Sequence, residues 1–213
     1  MATAHMLAKD VAMRHRRVSF RRLVVLVFLA TPGGPLLAEE PITPDALTFY
    51  AARVSAERTW QHVLRDPLGG DFADAYLVAG SYSHAWREFF GGALRAEWEV
   101  NVAYNFGDQD HFEVNVAPLG FRWQRFPWSE RLHTTAAFGI GLSYALGFPD
   151  VENELEGDTT ELLLFWMLEL SAGPRDGPWA VVLRLHHRST GFGLMGVEDG
   201  GMNAPGIGVR FQF

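Results

Sequence analysis

The chain is 213 residues long, a length that suits a single domain, and it contains no cysteine, which excludes a disulfide framework, a thiolate metal site and a cysteine nucleophile. Eighteen lysines and arginines stand against 25 aspartates and glutamates, a formal net charge of −7. That balance argues against a nucleic-acid partner, which a protein normally meets with a basic surface.

The first predicted element is an export signal over residues 1–38. Arg14, Arg16, Arg17, Arg21 and Arg22 form a basic region, residues 23–30 an apolar core, and residues 31–35 a stretch of small and helix-breaking residues. Leu36, Leu37 and Ala38 then precede Glu39, which places cleavage after Ala38. Met13 serves as well for a start, because residues 1–12 add nothing that a signal needs. Cleavage after Ala38 removes six of the 18 basic residues and one of the 25 acidic ones, leaving 12 against 24, a net of −12, with no lysine.

From Ala46 to the end, residues 39–213 read as one domain with a period of two, the pattern of half-buried strands. Residues 46–54 and 74–83 are the first two strands. In 94–106, Leu94, Ala96, Trp98, Val100, Val102, Tyr104 and Phe106 fall on one face, and Arg95, Glu97, Glu99, Asn101 and Asn105 on the other. A helix, with its period of 3.6, scatters these two sets. Phe112, Val114 and Val116 alternate with His111, Glu113 and Asn115 in the fourth strand. Residues 131–146 and 161–171 follow in the same manner, and 179–189 and 203–213 supply the last two. The count is eight.

Several of these strands run to 11 residues or more, beyond the ordinary globular mode of about 5–6 and as long as the roughly 9–11 that a membrane strand needs. The small residues Gly139, Gly141 and Ser143 share a phase with the polar set. A narrow barrel interior calls for small side chains and paired charges, so this face is placed inside and the large apolar face in lipid. The expected fold is all-β, an eight-stranded antiparallel transmembrane β-barrel, with Arg95, Glu97, Glu99, Glu113, Glu169, Arg184 and His186 in an internal polar network. A soluble, lipocalin-like barrel with the apolar set inside is the rival arrangement. The final strand agrees with the membrane reading: Ile207, Val209, Phe211 and Phe213 alternate with Gly208, Arg210 and Gln212 and end on phenylalanine, a pattern that resembles what the barrel-assembly machinery is thought to read. Both termini are then periplasmic. The connections 55–73, 107–110, 147–160 and 190–202 lie outside, and 84–92, 123–130 and 173–178 inside, in keeping with long outer and short inner connections except for the four-residue loop 107–110.

The seventh strand carries the residues that could do chemistry. Its outward phase reads Trp179, Val181, Leu183, Leu185, His187 and Ser189, so a histidine and a serine two residues apart share one side near the outer end. A nucleophile beside its base is the core of acyl transfer. If His187 faces Asn203 on the last strand, Val181 faces Val209 and apolar meets apolar throughout. Asn203 then stands beside the imidazole as a third, orienting group. Glu198 and Asp199 are acidic alternatives in the preceding loop. The plainer reading makes His187 and Ser189 polar residues at the membrane rim, where polarity costs only about 0–1 kcal/mol. His186 and Arg188 point inward. His111 and His133 share the inward phase with carboxylates but lack close ligand spacing, so neither metal nor cofactor is expected. The glycines of 191–201 come without a phosphate-loop lysine, and Phe126-Pro127-Trp128 reads as an interfacial aromatic turn.

His187-Arg188-Ser189 on the penultimate strand, the glycine-rich loop after it and the last strand ending in Phe213 resemble the outer-membrane lipid A 3-O-deacylases. The resemblance is most specific over the last ~35 residues and architectural over 45–213. That family is an eight-stranded barrel with a His-x-Ser pair and a glutamate on its lipid-facing surface, and it removes an acyl chain from lipid A in the outer leaflet. The resemblance implies that Ser189 is the nucleophile and His187 the base. Where the family has an asparagine after the serine, assigned to the oxyanion hole, this chain has Thr190; where the family has its acid, this chain has Asn203. Backbone N–H groups at Thr190 and Gly191, with Gly193 nearby, are the oxyanion donors expected here. Leu183, Leu185, Ile207 and Val209 are the expected acyl-chain surface. The partners that follow are lipid A or lipopolysaccharide, other outer-membrane lipids and the assembly machinery, in the outer membrane of a Gram-negative bacterium. Two other functions fit the composition: a non-catalytic barrel that braces the membrane or presents loops, and a soluble periplasmic lipid carrier.

Overall fold

A computed structural model describes residues 44–57, 59–67 and 69–213; the predicted export signal lies outside the described residues. Eight strands close into a barrel, each antiparallel to the next: β1 (Asp45–Ser55), β2 (Phe72–Phe89), β3 (Leu94–Gly107), β4 (His111–Trp123), β5 (Leu132–Leu146), β6 (Leu162–Pro174), β7 (Trp179–Ser189) and β8 (Gly201–Gln212). β8 pairs with β1 from Ala46↔Gln212 to Ser55↔Asn203 and so closes the sheet without an edge. Two short helices, α1 (Trp60–Arg65) and α2 (Asp150–Glu156), sit in the connections β1–β2 and β5–β6. The four connections predicted to be outer lie at one end of the barrel, and the short turns at the other.

β2 continues well past the predicted residue 83, because a bulge between Ala85 and Arg87 breaks the alternation while pairing with β3 carries on to Phe89↔Leu94. The turn is accordingly shorter than predicted: Phe90, Gly91 and Gly92 take three successive positive φ values of 55°, 60° and 79°. A second bulge between Val116 and Leu119 accommodates Pro118, which has no N–H to give to a ladder.

The two faces of the sheet divide as the alternation predicts. Outside, Phe49, Val102, Leu142, Leu170, Leu183 and Ile207 are each about half exposed and belong to a continuous apolar belt. Inside, charged residues are buried in pairs. Arg122 holds both oxygens of Glu97 (2.8 and 3.0 Å) and reaches Glu169 at 2.7 Å. Arg184 makes a two-pronged contact with Glu99 (2.8 Å each) and a further bond to Glu169. Nearer the outer end, Asn101 donates to the Tyr50 hydroxyl, Tyr50 bonds His186 Nδ1 at 2.8 Å, and His186 Nε2 bonds Glu113 at 2.8 Å. A soluble lipid carrier requires the reverse, apolar inside and polar outside, and this barrel does not have it.

Two details of the interior differ from the expectation. Arg95 is not in the central network but pairs with Glu88 on the neighbouring strand at 2.7 Å, close to the short-turn end. The inside is also not wholly polar. Phe165 and Met167 of β6 are buried with Ala117 and Ala137, and Tyr50, Leu77, Met202 and Val151 of α2 form a second apolar cluster. The ion-paired side chains of Glu97, Glu99, Arg122, Glu169 and Arg184 are themselves buried, and a buried charge depends on its partner for solvation.

Candidate active site

Strand β7 presents Arg184, His186 and Arg188 to the interior, each with partners there, and Leu183, Leu185, His187 and Ser189 to the exterior. On the outer face its neighbours are set by the ladders: His187 stands opposite Trp166 of β6 and Asn203 of β8, and Ser189 opposite Leu164 and Gly201. The register predicted from apolar matching, Val181↔Val209 and His187↔Asn203, is the one observed.

Asn203 and His187 are joined by a hydrogen bond of 2.8 Å between Asn203 Oδ1 and His187 Nδ1. The amide is oriented from its other side, since Asn203 Nδ2 donates to the backbone carbonyl of Glu57 at 3.1 Å. A carbonyl can only accept, so the nitrogen of the amide must face Glu57 and the oxygen must face the imidazole. Nδ1 therefore carries the proton and Nε2 is left with a lone pair. The local sequence creates this arrangement. Pro205 lacks an N–H, and the β8–β1 ladder is interrupted between Gly206 and Asn203, whereas pairing with β7 is continuous. The seam opens just where the chain after β1 brings Glu57 to Asn203.

Ser189 Oγ is half-buried and, among the described residues, has no hydrogen-bond partner; the Ser–His bond is open in this resting geometry. Catalytic hydrogen bonds are often long before substrate binds, and the i, i+2 spacing keeps both groups on one side of the strand. Thr190 and Gly191 begin the loop over Ser189. The Thr190 hydroxyl donates to the Glu198 carbonyl at 3.1 Å, so its proton is committed and only backbone N–H groups are left for an oxyanion. Gly191 has φ 63°, a left-handed conformation that favours glycine, and a Cβ there would push Leu164 Cδ1 aside. Glu198 itself is exposed and no contact joins its carboxylate to His187. Of the two candidates for the third position, Asn203 is the one brought to the imidazole.

The predicted apolar surface is only partly open. Leu183, Ile207 and Val209 are exposed, and Ile207 and Val209 line an apolar groove of about 760 Å³ that continues over Phe49, Ala51 and Gly80. Leu185, in contrast, is 4% exposed and is corrected from a lipid-facing to a covered position; His187 beside it is 7% exposed. The outward face is crowded at this level by Trp166, whose ring lies against that of His187 with 4.1 Å between centroids, and by Trp60 of α1, which meets Trp166 edge to face at 5.7 Å. In the alternation of 161–171, Trp166 shares the outward apolar phase with Leu162, Leu164, Leu168 and Leu170, which by itself does not single it out. The apolar match of Leu170 with Leu183 across β6 and β7 was the signal that could have set it opposite His187.

Behind the site, Arg188 is held by Glu152 of α2 at 2.5 Å and donates to the Glu161 carbonyl at 2.9 Å. Burial pushes the Glu152 carboxyl up from its ordinary value, against the opposing pull of the Arg188 guanidinium. These contacts pin the backbone between His187 and Ser189 from the inner side.

No protein-family model matches the chain, and no curated protein matches it. Among solved structures, the chain resembles the outer membrane enzyme PagL with a TM-score of 0.56 at 11% identity, over 79% of this chain and 99% of that one. It also aligns with Neisserial surface protein A (NspA) over 79% of this chain and 97% of that one, at 12% identity and a TM-score of 0.46. The first of these likenesses shows that the chain shares its barrel fold with an outer-membrane protein.

Proposed function

We propose that the protein is an outer-membrane ester hydrolase that removes an acyl chain from lipid A, with Ser189 as nucleophile, His187 as general base and Asn203 as the group that orients it. The observation that carries this reading is the His187–Asn203 hydrogen bond, with the amide locked by the Glu57 carbonyl, because it leaves His187 Nε2 as a proton acceptor on the same strand face as Ser189. The outward apolar belt supports residence in a bilayer, since an apolar surface of this extent has no stable place in water. The resemblance of the His187-Arg188-Ser189 segment and its following loop to the lipid A deacylases supplies the substrate class. The shared fold with PagL, an outer membrane enzyme, is compatible with it.

In this mechanism an ester-linked chain lies along Leu183, Ile207 and Val209, with its carbonyl carbon at Ser189 Oγ. The serine oxygen bonds to that carbon while its proton moves to Nε2, and backbone N–H groups at 190–191 receive the oxyanion. Collapse breaks the bond to the sugar oxygen, which takes the proton from His187, and leaves the acyl group on Ser189. A water molecule then repeats the sequence, releasing the fatty acid and restoring the serine. Asn203 holds the ring but stabilises imidazolium less than a carboxylate does, as a neutral dipole.

The test is incubation of the detergent-purified protein with lipid A, with released fatty acid followed by mass spectrometry. Ser189→Ala should abolish release, by a factor on the order of 10⁴ or more, while the barrel stays folded. Release that persists in the variant overturns the assignment. The occlusion of His187, 7% exposed, favours a second reading, a non-catalytic barrel, in which folded wild-type protein leaves lipid A and other ester lipids intact.

A further inference from the structure

We propose that Trp166 is a positioning residue for His187, presenting its π face to the imidazole and stabilising the imidazolium that forms as the proton leaves serine; this rests on the esterase reading above. Three observations on the outer face of β6–β7 lead to it. The two rings lie 4.1 Å apart between centroids with 34° between their planes, well inside the about 6 Å over which a cation is attracted to an indole face. They are cross-strand partners, so the backbone ladder fixes their approach. Trp60 packs against Trp166 at 88° and 5.7 Å, which limits the rotation of the indole away from the histidine.

The arrangement answers a chemical deficit in the site. The third member is an amide, and an amide offers the imidazolium a dipole in place of a full negative charge. Among the described residues, no carboxylate on the surrounding elements fills that role. On its own strand, His186 and Arg188 face the interior and are bonded there. On β6, Glu169 is turned inward to Arg122 and Arg184. Glu57, next to α1, pairs with His62 at 3.4 Å and gives Asn203 only its carbonyl. In the covering loop, Glu198 and Asp199 are exposed. β8 brings no ionisable group next to Asn203. The indole face is then the electron-rich surface left to the ring, and an indole is the strongest of the aromatic partners for a cation. Because the site is nearly closed to water, such a contact is at the upper end of its range, up to about thirtyfold in the population of the charged form.

The experiment replaces Trp166, in the full-length protein, with tryptophans bearing increasing numbers of ring fluorines. These keep the shape and withdraw charge from the π face. Two quantities are read: kcat and KM for fatty-acid release from lipid A, and the titration midpoint of the His187 ring by NMR in detergent. With each added fluorine kcat should fall, reaching about a tenfold loss, with KM unchanged, and the His187 midpoint should move to lower pH. Trp166→Phe should retain more activity than Trp166→Leu. An unchanged midpoint across the fluorine series overturns the proposal, because a purely structural indole is indifferent to ring charge. The NMR arm needs no turnover. If the wild type hydrolyses nothing while the midpoint still moves, the esterase reading fails and the ring contact stands.

Discussion

His186 and His187 are consecutive in sequence, and their surroundings on the two sides of β7 are opposite. His186 has both ring nitrogens occupied, by Tyr50 and by Glu113, inside the barrel. His187 has one nitrogen occupied, by Asn203, and among the described residues nothing takes the other. A saturated imidazole is a structural element, since each of its protons and lone pairs is already assigned. An imidazole held at Nδ1 and open at Nε2 can accept a proton from a third group. The pleat of the strand, which sends successive side chains to opposite faces, separates the two roles within a single peptide unit.

The largest effect expected from breaking that comparison is on activity. His187→Ala should lower the rate of fatty-acid release by about four orders of magnitude, with no change in the urea midpoint of the barrel. Equal loss of activity and of stability would show that the outward histidine is part of the scaffold. The inward side should behave in the reverse manner. Arg184→Ala leaves Glu99 and part of Glu169 without a counter-charge in a buried interior, and the cost of breaking such a pair is about 3–5 kcal/mol. Unfolding in urea measures it. Molecules that remain folded should retain their hydrolytic rate, because Arg184 touches nothing on the outer face.

How much of this was legible in the sequence follows from which contacts are local to a strand. The β7–β8 register could be read because an unbroken apolar alternation runs to Phe213 and only one pairing sets Val181 against Val209. That pairing also placed Asn203 beside His187. The lower half of β2 could not be read, since the bulge between Ala85 and Arg87 puts the alternation out of phase. The partial burial of the site was likewise hidden. Leu185 and His187 alternate with inward residues as an exposed row does, and the ring that lies against His187 comes from Trp166 on another strand, itself packed by Trp60 on a short helix. The share of Glu57 lies in a backbone carbonyl, which no side-chain pattern records.

The smallest effect expected concerns the contact that reaches the inner side of the site from the outer end. Glu152 is buried in α2, bonded to Arg188 and to the Thr159 hydroxyl, and its carboxyl is raised above its ordinary value by burial. A carboxyl raised in the folded state binds more protons there than in the unfolded chain, so its contribution falls as pH rises through the window between the two values. The segment 147–161 should therefore be held more tightly on the acid side of that window than on the alkaline side. Amide exchange of α2, followed as pH rises from the ordinary carboxyl value of 4.5 and corrected for the intrinsic rate, should show protection that increases toward the acid side. Glu152→Gln removes the titrating group while keeping an oxygen for Arg188, and in that variant the protection should be flat across the same range. A slope that survives in Glu152→Gln assigns the pH dependence to another group at the barrel mouth. Loss of protection at every pH in the variant shows instead that the charge on Glu152 anchors the helix in spite of its burial.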